Sequence, residues 1–154
     1  MSLVPIGVGA GGYAFNTTKY AQPTIQSATP TAWTTGNSPV TLFTVTGTVL
    51  ARVYGVVGAT PFTSTGGTGT LAVGVAGATG AFIAASTANG TTNFVANAAW
   101  VDATPTLTAE AIPATAWTLV TGNIILTIAT NSMTAGAVTM YCDWIPVSTG
   151  ASVA

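Results

Sequence analysis

Five side chains in 154 residues carry a formal charge: Lys19, Arg52, Asp102, Glu110 and Asp143. There is one thiol, Cys142, and no histidine. Acid–base, nucleophilic or metal chemistry would have to be built from this stock. Asp102 and Glu110 could form a carboxylate pair of the kind that hydrolyses glycosides, but they stand in a loop-like stretch with no supporting polar shell. A thiol needs a base to become a nucleophile near neutrality. Cys142 has no imidazole to serve it, and its alternation with Met140 and Trp144 marks a core side chain. Three acids and one cysteine do not make a conventional metal centre; backbone carbonyls holding calcium are the one route left open. "GVGAGG", Gly7 to Gly12, matches the dinucleotide fingerprint in letters. That motif works only between a strand and a helix, whereas Pro5 precedes it and no helical pattern follows. "NTT" at Asn16 and "NGT" at Asn89 match the glycosylation acceptor, as a Thr-rich chain does by chance. The residues assign no catalytic, cofactor or metal role, and no enzyme is expected.

The surface is the informative feature. Charged residues make up 3% of the chain, against about 25% in an average domain. Net charge is -1, so there is no electrostatic footprint for nucleic acid or anionic membrane. Soluble domains use mixed surface charge to stay apart. A chain without it fits an obligate assembly, a lipid environment, or a surface wetted by threonine hydroxyls. The best membrane window, Leu71 to Ala85, is Ala- and Gly-rich and shorter than the roughly 20 residues a spanning helix needs. The start, "MSLVPIGVGAGGYAF", lacks a basic region and is broken by Pro5 and glycines, a poor match to a signal peptide. One cysteine excludes an intrachain disulfide and points to synthesis in a reducing compartment.

Three regions follow from composition. Residues 1–38 are rich in Gly, Pro, Thr and Asn without a sustained period, and read as an extended arm anchored by Tyr13, Phe15, Tyr20 and Trp33. Residues 39–148 have a period of two, the mark of half-buried strands. In "TLFTVTGTVLARVYGVVGA", Phe43, Val45, Val49, Ala51, Val53 and Val57 share one face, and Leu50, Arg52, Tyr54 and Val56 the other. A straight strand of that length would span about 55 Å, so a bend is expected at Gly47 or Gly55. Further strands are expected at Thr70–Ala76, Ala81–Ser86, Trp117–Val120, Asn123–Thr130 and Ala137–Val147, with Thr92–Val101 weaker. "TGN" between Val120 and Ile124 signals a tight turn. Residues 149–154 read as a short C-terminal tail. The class expected is all-β: an antiparallel sandwich, jelly-roll-like or barrel-like, of about seven or eight strands.

Arg52 and Asp143 lie on the mixed faces of their strands, each two residues from a tyrosine, Tyr54 and Tyr141. If the strands are neighbours, the two form a structural ion pair, because an unpaired buried guanidinium is costly. Asp102, in "WVDATP", is the second candidate partner; a rim position with the head in water or a partner in another chain are the remaining options. Trp144 alternates with core residues, whereas Trp33 and Trp100 stand near polar segments and read as interface candidates or as a sugar-stacking platform.

Taken in order, "LFTVTGTVLARVYGVVGA", "WVDATPT" and "MYCDWIPVSTGA" resemble small proteins among the structural genes of tailed bacteriophages, over roughly residues 40 to 150. The resemblance implies a virion component assembled in the host cytoplasm, in the manner of capsid decoration or cement proteins. The partners it implies are further copies of the chain and a major capsid protein, with no cofactor, nucleic acid or membrane. The alternatives are a receptor- or carbohydrate-binding module of a tail tip or fibre, and a tail-tube or connector subunit.

Overall fold

The computed structural model describes residues 24–28, 33–107 and 117–154, the first of these by backbone alone. The aromatic anchors Tyr13, Phe15 and Tyr20 lie outside the described residues, as do Lys19, Glu110, Asn16 and Gly7 to Gly12.

The described chain runs through β1 (Thr24–Ala28), β2 (Val40–Phe43), β3 (Val45–Thr46), β4 (Val49–Val57), β5 (Thr63–Ser64), β6 (Thr70–Val75) and β7 (Ala78–Thr87). It continues through β8 (Ala99–Trp100), β9 (Thr118–Val120), β10 (Ile124–Ala129), β11 (Met133–Ala135), β12 (Val138–Pro146) and β13 (Ser152–Val153). Two single 3₁₀ turns are its helical content. The first sheet has the order β1-β12-β4, with β8 and β9 both on the far edge of β4. The second has the order β2-β10-β6-β7, and β11–β5 and β13–β3 form two short ladders. Every pairing is antiparallel. One hydrophobic cluster draws on both main sheets: Val49, Val53 and Met140 from the first, Leu71, Ile124 and Leu126 from the second. The fold is an all-β sandwich.

The alternation read from sequence accounts for the inner faces. On β4, Val49, Ala51, Val53, Gly55 and Val57 are buried and the residues between them are not. The bend falls at Gly47, which takes a φ of 70° that favours glycine and separates β3 from β4; β4 passes straight through Gly55.

Four expectations change. Among the described residues the strands number thirteen rather than seven or eight, because several are only two or three residues long and too short to show a period. Residues 24–28, inside the segment read as an arm, form β1 on the edge of β12. The C-terminal tail is docked: β13 pairs with β3, Val153 is buried, and Thr44 and Ala154 exchange two backbone hydrogen bonds. The turn at Thr121–Asn123 is present, but it carries the chain from β9 in the first sheet to β10 in the second. No helix among the described residues is long and apolar enough to cross a membrane.

Candidate interaction surface

The outer face of the first sheet is built in cross-strand rows. β12 and β4 pair along nine positions, which puts Ile145 beside Leu50, Asp143 beside Arg52, Tyr141 beside Tyr54, and Thr139 beside Val56. β9 extends the first row with Leu119 next to Leu50, and β8 extends the last with Ala99 next to Val56. Residues directly opposite on antiparallel strands share a face, so the alternation that buries Val49 to Val57 delivers this whole set outward.

Arg52 and Asp143 form an ion pair in the second row. Arg52 Nη2 is 2.7 Å from Asp143 Oδ2, and Arg52 Nε donates to the same oxygen at 2.8 Å. Both contacts converge on Oδ2, so the pair is not a two-oxygen fork, and buried Oδ1 has no hydrogen-bond partner. Burial is unequal: the arginine side chain is 26% exposed and the aspartate side chain 5%. The guanidinium also lies over the Trp117 ring, 5.1 Å from its centroid, a contact in which the ring face attracts the cation. One row up, Tyr54 and Tyr141 stack with centroids 5.4 Å apart and ring planes 16° apart. Burial, followed by the Asp143 charge, raises the Tyr54 phenol above its ordinary range, so it stays a neutral hydroxyl.

Asp102, the other carboxylate considered for Arg52, is exposed and accepts a hydrogen bond from Thr104 N at 2.6 Å in a local turn. Beneath the face, Cys142 is fully buried. Burial first, and Asp143 second, push its thiol up to about 12. It is a core group at neutral pH, as its alternation implied.

Trp100 corrects the sequence reading. It is fully buried, and its Nε1–H donates to Ser86 Oγ at 3.0 Å, joining β8 of the first sheet to β7 of the second. It offers no surface to a sugar or a partner. Its polar neighbours belong to the turn around Asn89, whose Oδ1 accepts from Thr91 N and Thr91 Oγ1; the indole itself inserts between the sheets. Trp100 ends a chain of edge-to-face rings that sequence reasoning missed: Trp33 to Phe62 at 4.8 Å, Phe62 to Phe94 at 5.3 Å, and Phe94 to Trp100 at 4.9 Å. The available signal was a lone phenylalanine in each of two Thr/Gly/Asn-rich loops, "TPFTSTGG" and "TTNFVAN". Trp33 is half-buried and borders a cavity of about 530 Å³ shared with Thr34, Asn37 and Thr134. Indole, amide and hydroxyl groups there could contact a polar ligand.

The described residues hold no cluster of three or more His, Cys, Asp or Glu side chains fit for a metal ion. No family model, no curated protein and no solved structure matches the chain.

Proposed function

We propose that this chain is a structural virion protein that decorates or cements a phage head through contacts between copies and with the shell. The observation that carries this reading is the state of its charge. Among the described residues Arg52 and Asp143 neutralise one another, which leaves Asp102 as the one charge without an opposite partner. A surface so poor in charge lacks the usual means of keeping molecules apart, and it suits a subunit whose neighbours cover it. The resemblance of residues 40 to 150 to phage structural proteins supports the same reading.

The mechanism is burial. Apolar area contributes about 25 cal/mol per Å² before the costs of association. Thr, Ala and Val side chains contribute little each, but a symmetric lattice repeats the contact in every copy. Residues ahead of β1 can add reach to each copy, because separate contacts on one chain reinforce each other.

The test is fractionation of particles with an antibody to this chain. The expected result is co-migration with intact heads, with heads lacking the chain rupturing at lower temperature. Truncation ahead of Pro23, which spares β1, is expected to weaken incorporation while the β-domain stays folded. Absence from particles would overturn the reading. Presence on tails alone, with glycan-dependent attachment to cells, would replace it with the tail-tip one.

A further inference from the structure

We infer that the cavity beside Trp33 binds an uncharged sugar unit, its ring laid against the indole and its hydroxyls held by Asn37, Thr34 and Thr134. The inference adds a ligand to the proposed function and does not depend on it.

Three observations carry it. First, the site is clamped in place. The Trp33 carbonyl accepts from Met133 N at 2.8 Å, which ties that residue to the start of β11. Thr35 N donates to Ser132 Oγ at 3.1 Å. The 3₁₀ turn Thr35–Asn37 is closed by Asn37 N, which donates to the Thr34 carbonyl at 3.1 Å. Ser38 Oγ then accepts from Ile128 N at 2.9 Å. Residues 33–38 are thus fastened to β10, β11 and the link between them. Across the cavity Gly136 takes a φ of 125°, and a Cβ there would overlap the Phe62 ring. The Gly136 backbone therefore seats on the same ring that Trp33 meets edge-to-face. Walls fixed before a ligand arrives lose little to ordering.

Second, size and lining match a sugar. The cavity is about 530 Å³, within the range of about 300–1,000 Å³ usual for small-ligand sites. Trp33, half-buried, forms part of its wall. A pyranose has a face of weakly positive C–H groups, which suits the negative face of an indole. Its rim carries hydroxyls that both donate and accept, and an asparagine amide and a threonine hydroxyl answer both needs. Asn37 and Thr34 are exposed, and neither side chain makes a hydrogen bond to another described residue. Thr134 Oγ1 lies 2.9 Å from Thr63 Oγ1, which fixes a third hydroxyl in the wall.

Third, none of the described lining residues carries a charge. A charged ligand would give up hydration with no opposite charge to replace it. An apolar ligand would strand the amide and hydroxyls it covers. An extended peptide docks by pairing with a strand, and β11 is already paired with β5 and bonded to the Trp33 carbonyl. An uncharged ring rich in hydroxyls meets all three conditions.

The experiment is amide NMR of the full-length protein under titration. The neutral probes are methyl glucoside, methyl galactoside and N-acetylglucosamine. Glucuronate and glucosamine are the charged counterparts, and a capped alanine tripeptide is the non-sugar probe. The expected result is a saturable shift of the Trp33 indole N–H and the Asn37 side-chain amide with at least one neutral sugar. The dissociation constant expected is about 1 mM, with the charged sugars weaker by about tenfold or more. Trp33→Phe keeps a ring against Phe62 and is expected to weaken binding about tenfold; Asn37→Ala, at an exposed position, about fivefold. Leu119→Lys, on the outer face of the first sheet, is expected to leave it unchanged. Circular dichroism checks folding, and Asn37→Ala carries the test if Trp33→Phe is unfolded. Failure of every neutral sugar to bind overturns the inference. So does equal or tighter binding of a charged sugar or the peptide, or binding indifferent to the two variants. Particles are scored separately. Sugar binding by a chain absent from particles leaves this inference standing and sinks the virion reading; a head-bound chain that ignores sugar does the reverse.

Discussion

The two sheets share one core and differ in what they send outward. The first presents Leu50, Arg52, Tyr54, Tyr141 and Leu119, long side chains that lie across its strands. The second presents Thr41, Ile125, Gly74, Thr127 and Ala72, mostly small, on matching rows of β2, β10 and β6. At Gly74 its outer face is crossed by its own backbone. β7 takes five steps from Ala78 to Ile83 while β6 takes two from Val73 to Val75. The surplus folds back so closely that a Cβ on Gly74 would overlap the Ala78 carbonyl. One sheet therefore keeps a broad outer face of long side chains, and the other is partly covered by its own chain. Identical alternation inside is compatible with opposite fates outside, because burial of the inner face fixes only every second residue.

The comparison can be broken most forcefully at the ion pair. Arg52→Leu leaves the Asp143 carboxylate, 5% exposed, without a counter-charge and is expected to lower stability by about 3 kcal/mol. Asp143→Asn leaves an arginine that is 26% exposed and can turn to water, so about 1 kcal/mol is expected. Urea unfolding of both variants checks the order; equal losses would mean the burial is not as unequal as described. On the second sheet, Gly74→Ala forces the folded-back strand away and is expected to cost about 2 kcal/mol, read from the same unfolding curves. An unchanged midpoint would show that the backbone over Gly74 yields freely.

The smallest effect at neutral pH belongs to Cys142. Its thiol in the folded state ionises near 12, against 9.0 as a reference. Between those values the unfolded chain has lost a proton that the native chain keeps, so stability falls as pH rises, by up to about 1.4 kcal/mol per pH unit. Below that window the group contributes no pH dependence. Cys142→Ala is expected to remove the thiol's share of that alkaline slope and leave the share of Tyr54, whose phenol folding also raises; the native thiol is expected to resist a disulfide reagent at pH 8 until denaturant is added.

Much of the first sheet was legible. A period of two placed β4 and β12, and matching tyrosines beside Arg52 and Asp143 suggested a shared register, which the pairing of those two strands contains. The partner role of Trp117 was not legible, because nothing local says which sheet a strand of three residues will join. The same limit hid the crossing at Thr121–Asn123: turn chemistry specifies that the chain reverses, not which neighbour it meets. Trp100 misled because polar neighbours describe a turn, whereas burial of the indole depends on the distant Ser86. β1 and β13 pair through their backbones, and a backbone ladder leaves little imprint on side-chain type.

The edge-to-face rings from Trp33 to Trp100 link the loop that holds Phe62 to the one that holds Phe94. Loops of threonine, glycine and asparagine would ordinarily sample many shapes, and a visitor would have to still them on arrival. Here the aromatic spine has already done so during folding. That end of the molecule meets whatever touches it with its contour set in advance, so recognition there forfeits little chain entropy.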